Sequence, residues 1–172
     1  MDIVVDIIEI TARQVTPPAV EALAWCLAAS QPDRTVDHKR FWEEWFSEDI
    51  PGSKLTVAAI LRKPENVSHS VVGVCRLWKT PYLDGRWFIE GLEVMPGMRR
   101  RGIGTRLVRR CVDAALGLGI AKLHAHIHDS NLASRRLFEY LGFVETAHGY
   151  WNTYGEWRES GSEYALDLNT LR

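Results

Sequence analysis

The chain has 172 residues, of which 46% are hydrophobic and 25% charged, values that exclude intrinsic disorder and suit one domain around a single core. Lys and Arg number 21 against 22 Asp and Glu, a net charge of −1, so no global basic field points to nucleic acid. Apolar runs fall far short of the ~20 residues of a membrane span, and residues 1–10, with three acids and no Lys or Arg, do not read as a signal peptide.

In chain order, the β-branched run at residues 3–10 predicts a strand. Pro17 and Pro18 open a helix whose apolar positions Val20, Leu23, Ala24 and Leu27 recur at helical spacing. Phe41, Trp42, Trp45 and Phe46 mark a second helix, closed by Pro51 and Gly52. Residues 54–61 and 70–78 are predicted strands, joined as a hairpin across the polar stretch 62–69, and 86–95 is a third strand ended by Pro96-Gly97. An amphipathic helix over 102–118 carries Ile103, Leu107, Cys111, Ala114 and Leu118 on one face. A strand at 121–128, a short helix at 131–140 stopped by Gly142, and closing strands at 143–148 and 163–168 complete the order β-α-α-β-β-β-α-β-α-β-β. Mixed order of this kind predicts an α/β protein of the α+β type, one sheet with helices packed on its faces. Three scattered cysteines, Cys26, Cys75 and Cys111, with no Cys-x-x-Cys pair, read as reduced thiols of a cytoplasmic protein.

The most informative segment runs Val94-Met95-Pro96-Gly97-Met98-Arg99-Arg100-Arg101-Gly102-Ile103-Gly104-Thr105. A strand ends, a basic turn follows, and a helix opens on Gly-x-Gly. Free N–H groups and the helix dipole attract phosphate there, glycines let the backbone approach it, and arginines add charge-assisted donors. A Walker loop is excluded because Thr105-Arg106 follows Gly104 where Lys-Ser/Thr is required, and a dinucleotide fingerprint because Leu107 replaces its third glycine.

Arg99-x-x-Gly102-x-Gly104 resembles the Arg/Gln-x-x-Gly-x-Gly/Ala signature of the GCN5-related N-acetyltransferases, and Leu92-x-Val94-x-Pro96 resembles the strand before it. Downstream, Asn131-x-x-Ser134-x-x-Leu137-Phe138-x-x-Leu141-Gly142-Phe143 is similar to that family's Asn-x-x-Ala/Ser…Gly-Phe helix. The resemblance implies one domain over residues 1–172, with a mixed, mostly antiparallel sheet splayed open beside its central strand. It also implies acetyl-CoA as co-substrate and a small-molecule or peptide amine as acceptor. By the same resemblance, backbone groups of Leu92 and Val94 would hold the pantetheine arm. Arg99 and the amides of Arg100, Arg101, Gly102, Ile103, Gly104 and Thr105 would hold the pyrophosphate. Asn131 and Ser134 would contact pantetheine or phosphates, with Phe138 counted on the same cofactor side. A homodimer fits the family; a nucleic-acid or membrane partner does not.

Acetyl transfer to an amine needs a base for the ammonium, donors for the oxyanion and a route for the departing thiolate. Strand alternation places Glu90 on the face of Leu92 and Val94, with Glu93 opposite, which makes Glu90 the first candidate base and Glu93 a bystander. His124, His126 and His128 share a face of the next strand. His126, five residues before Asn131, is the second candidate base, and the other two read as plain sheet surface. Their spacing is wide for a tetrahedral site, and no metal is expected. Phe138 stands where the family commonly has a tyrosine that protonates the thiolate; Tyr140 lies about 200° further round the helix, leaving Tyr150 and Tyr154 as candidates. That departure supports a rival reading, a non-catalytic acyl-CoA sensor or scaffold. Trp87-Phe88-Ile89-Glu90-Gly91-Leu92-Glu93-Val94 resembles a strand of aminoglycoside 6′-N-acetyltransferases. In that narrower reading Trp42, Trp45, Trp151 and Trp157 would line a pocket, and Glu48, Asp49, Glu156 and Glu159 would draw a cationic amine.

Overall fold

The computed structural model describes residues 3–31, 37–47, 53–62 and 69–171. The elements follow in the expected order: β1 (Val5–Ile10), α1 (Pro17–Ser30), α2 (His38–Ser47), β2 (Lys54–Leu61), β3 (Val71–Lys79), β4 (Trp87–Val94), α3 (Ile103–Gly117), β5 (Lys122–Ile127), α4 (Leu132–Tyr140), β6 (Val144–Trp151) and β7 (Trp157–Asp167). The Pro51-Gly52 helix stop, most of the 62–69 connection, and Glu48 and Asp49 lie outside the described residues.

The strands form a seven-stranded sheet ordered β1-β2-β3-β4-β5-β7-β6. Every neighbouring pair is antiparallel except β4 and β5, which α3 joins by a crossover, so the mixed, mostly antiparallel sheet is as expected. That one parallel pairing is short: it registers Trp87 with Leu123 and Phe88 with His124, and stops. Beyond Phe88 the pairing ends, and among the described residues no neighbouring strand pairs with β4 on that side.

The two faces carry separate cores. α3 and α4 cover one, burying Leu107, Cys111, Leu123, Phe138 and Phe143. α1 and α2 cover the other, burying Leu23, Cys26, Trp42, Trp45 and Val74. Each such side chain contributes about 1.5–3 kcal/mol of transfer free energy, so both helical layers are fixed against the sheet. Trp45 keeps its indole N–H satisfied inside, donating to Thr56 Oγ1 at 2.9 Å.

The closing hairpin is longer than expected. β7 begins at Trp157 and β6 reaches Trp151, so these tryptophans face each other across a strand pair, edge to face at 5.7 Å and half exposed. Register shifts between Glu145 and Ala147 and between His148 and Tyr150 break the alternation that would have marked the strands.

Candidate active site

β4 is where the geometry departs most from a plain strand. Val74 pairs with Glu93 and Arg76 with Glu90, so two residues on β3 advance while three pass on β4. Gly91 absorbs the extra residue in the left-handed region, at φ 60°, which a glycine enters without a Cβ clash. Here a Cβ would lie 2.7 Å from Arg76 Nε. The bulge turns Glu93 onto the side of Glu90. Both carboxylates line one cleft, whereas Leu92 and Val94 line another. Plain alternation therefore misplaced Glu90, which is absent from the cleft of Leu92 and Val94, while Glu93 lines the Glu90 cleft as well as theirs. The signal available was a glycine inside an otherwise regular strand.

The first cleft, of about 440 Å³, is walled by Leu92 and Val94, by Arg99, Arg100, Gly102, Ile103, Gly104 and Thr105 at the start of α3, and by Asn131 and Ser134 at the start of α4. Arg100 (φ 60°) and Gly102 (φ 72°) are both left-handed, so the turn curls its amides around the helix start, a geometry that suits an anion. Gly104 has a packing duty as well, since a Cβ there would stand 3.1 Å from Leu137 Cδ1. Arg99 anchors the turn by donating from Nε to the Val94 carbonyl at 2.9 Å. Asn131 caps α4, its Oδ1 accepting from the Ser134 amide at 3.2 Å. Among the described residues the cleft wall includes neither Arg101, exposed in the turn, nor Phe138, which is buried edge to face on Phe143 at 5.0 Å.

The second cleft, of about 380 Å³, lies on the α1–α2 face and is walled by Gln31, His38, Phe41, Trp42, Arg76, Glu90, Glu93 and Tyr154, among others. Glu90 Oε2 accepts from Thr153 Oγ1 at 2.9 Å, and Arg76 Nη2 stands 3.3 Å from Glu90 Oε1. Thr153 is itself held through its carbonyl, which accepts from Thr80 Oγ1 at 2.8 Å. Gln31 donates to Glu93. The Arg76 guanidinium packs on the faces of Phe41 and Trp45, 4.8 and 4.7 Å from their centroids. Arg76 was missed by sequence reasoning; its signal was a lone charge in the otherwise apolar run 71–78. Glu93 lines both clefts, so β4 is the wall between them.

His126 stands on neither wall. Its Nε2 lies 3.2 Å from Glu163 Oε2, and His124 Nδ1 lies 3.2 Å from Glu163 Oε1. Arg86 Nη1 reaches both carboxylate oxygens, at 3.0 and 3.1 Å. Burial alone would raise the Glu163 carboxyl, but hydrogen bonds from His124 and His126 and the Arg86 charge outweigh it and hold the acid well below its ordinary value. Tyr150 stacks on His126 at 4.0 Å, and burial pushes its phenol above the ordinary value. His124 is buried in this cluster rather than surface, while His128 is exposed and bonds Ser130 at 2.9 Å. Tyr140 is exposed beside Arg109.

The sequence profile described as the acetyltransferase (GNAT) family matches residues 18–143. A thialysine N-epsilon-acetyltransferase of Mus musculus is 31% identical over 55 residues, 32% of this chain and 32% of that protein, so the match spans about a third of the curated relative. The fold is similar to that of Arabidopsis thaliana NAA60 in complex with acetyl-CoA (TM-score 0.72, 18% identity, 96% of this chain and 99% of that one). It is also similar to the ribosomal-protein-S18-alanine N-acetyltransferase from Escherichia coli (TM-score 0.67, 20% identity, 96% of this chain and 94% of that one).

Proposed function

The chain belongs to the acetyltransferase (GNAT) family, and from that premise we propose that it is an acetyl-CoA-dependent N-acetyltransferase, acting on a primary amine of a small molecule or peptide by direct attack in a ternary complex. The observation that carries this reading is the pair of clefts on opposite sides of β4, an amide-lined turn in one and two carboxylates in the other, sharing Glu93. Residues 1–172 are read as one acyl-CoA-binding domain, and a cytoplasmic setting goes with its free, buried cysteines.

The family's co-substrate supplies an acetyl thioester. In this chain the turn from Arg100 to Thr105 would hold its pyrophosphate, and the unpaired edge of β4 near Leu92 and Val94 would bind the pantetheine arm and donate to the oxyanion. Glu90, oriented by Thr153 and Arg76, takes the proton from the acceptor ammonium, directly or through one water, and the freed amine attacks. The thiolate, of a thiol whose pKa is about 8.5, would leave with or without an acid; Tyr154, which lines the acceptor cleft, carries a phenol that could supply one. His126, clamped to Glu163 and Tyr150, is the reserve base.

Phe138 in place of tyrosine favours the rival reading, a non-catalytic acyl-CoA sensor. An aminoglycoside acceptor is a narrower form of the enzyme reading. Its acidic support at Glu156 and Glu159 is exposed on the β6–β7 hairpin, not on the acceptor wall. Thiol release from acetyl-CoA with a panel of primary amines decides among them. Amine-dependent release is expected; tight acetyl-CoA binding with no release for any amine would leave the sensor.

A further inference from the structure

Among the described residues five buried side-chain polar atoms lack a hydrogen-bond partner, and apart from Ser30 Oγ they gather in one place. Trp42 Nε1, His38 Nε2, Arg76 Nη1 and Glu90 Oε1 are buried without a hydrogen-bond partner among the described residues, and all four side chains line the acceptor cleft. An unpaired buried donor or acceptor costs about 1–3 kcal/mol, so four in one cleft mark places that a ligand is shaped to fill.

Their chemistry is specific. Trp42 is fully buried, and its indole can only donate. The Arg76 side chain is 11% exposed; it packs on Phe41 and Trp45, Nη2 turns to Glu90, a Cβ at Gly91 would come within 2.7 Å of Nε, and Nη1 has no partner among the described residues. A ligand meeting these donors must accept hydrogen bonds, and beside a guanidinium it is best an oxyanion. Glu90 Oε1 asks for the opposite, a donor, and Glu93 stands beside it. The 3.3 Å ion pair of Oε1 with Arg76 Nη2 is not a hydrogen bond, so this buried oxygen still lacks a hydrogen-bond donor among the described residues. One cleft thus offers a cation seat and an anion seat side by side. Its volume of about 380 Å³ is that of a small-ligand site.

Resting on the proposed acetyltransferase reading, we infer that the acceptor is a small zwitterion of the amino-acid class, its amine on Glu90 and Glu93 and its carboxylate on Arg76 and Trp42. A polyamine or an aminoglycoside, having no oxyanion, leaves those two donors unpaired.

The test is calorimetric binding to the full chain saturated with CoA, so that no turnover is needed. The probes are L-lysine, L-ornithine and 4-aminobutanoate, each beside its carboxamide and its decarboxylated amine. At least one carboxylate should bind tenfold or more tightly than both counterparts. Arg76→Lys, which keeps the charge and loses the fork, and Trp42→Phe, which loses the indole N–H, should each reduce that preference to threefold or less. Both variants are first checked for the wild-type shift in Tm with acetyl-CoA. Failure of every carboxylate probe to reach that tenfold preference, or a preference that survives both substitutions, overturns the inference while acetyl-CoA binding stands. Loss of acetyl-CoA binding by the wild-type chain would instead sink the acetyltransferase reading.

Discussion

Glu90 is gripped from two sides, by the Thr153 hydroxyl at 2.9 Å and by the Arg76 guanidinium at 3.3 Å, and a carboxylate so held is positioned rather than mobile. Glu90→Gln keeps the size and the Thr153 bond but removes the proton acceptor. Its kcat should fall about 10²–10⁴-fold, with the acetyl-CoA-induced Tm shift unchanged. A wild-type kcat would move the role to His126 or water. Glu163 invites a different measurement. Its folded carboxyl titrates below the unfolded value of about 4.3, so the stability it contributes is complete above that value and is lost as pH falls below it. Glu163→Gln should cost about 1.5–3 kcal/mol at neutral pH. The Tm gap from wild type should then narrow below about pH 4; a gap that is constant down to pH 3 would refute the assignment. Little of this clamp was legible in the sequence. His124 and His126 are visible as a face, but the acid that joins them is 37 residues beyond His126 and meets it only through strand pairing.

Among the elements, β4 does two jobs because Gly91 lets it bulge. Gly91→Ala puts a Cβ into a left-handed residue and within 2.7 Å of Arg76 Nε. The change should destabilise the fold by about 1–2 kcal/mol and raise the acceptor KM, with little effect on acetyl-CoA affinity. At the start of α3 the expectation reverses. Gly104→Leu should abolish the acetyl-CoA-induced Tm shift while the far-ultraviolet circular dichroism stays wild type; an unchanged affinity would refute the phosphate-turn assignment. Element order was readable because helical periodicity and β-branched runs are local signals, and the α3 turn because it is written in contiguous residues. The sides taken by Glu90 and Glu93, and the true length of the β6–β7 hairpin, were not. Each depends on a bulge, and one bulged residue inverts every side chain beyond it.

At the scale of the whole molecule the net charge is −1, and the proposed anion site would draw on local backbone amides and a few arginines rather than on a global field. No helix among the described residues is long and apolar enough to cross a membrane. Acetyl-CoA at 100 times its Kd should add about 2.7 kcal/mol, which for a domain of this size raises Tm by about 5–10 °C. Free CoA should give part of that shift and NADH none. No shift with acetyl-CoA would mean that the turn from Arg99 to Gly104 binds no cofactor.

The short β4–β5 pairing bears on self-association. An unpaired strand edge ordinarily invites a strand from a second chain, and proteins must blunt it. The outer strands here carry such protection: an Arg62–Asp6 ion pair sits on β1, and register shifts kink β6. The open stretch of β4 is screened differently, because it faces β5 across an interior wedge that closes at Phe88 and His124. A partner strand docking there would have to enter between two strands of one sheet rather than join it from the side. Backbone donors and acceptors can therefore stand open toward a ligand without inviting aggregation.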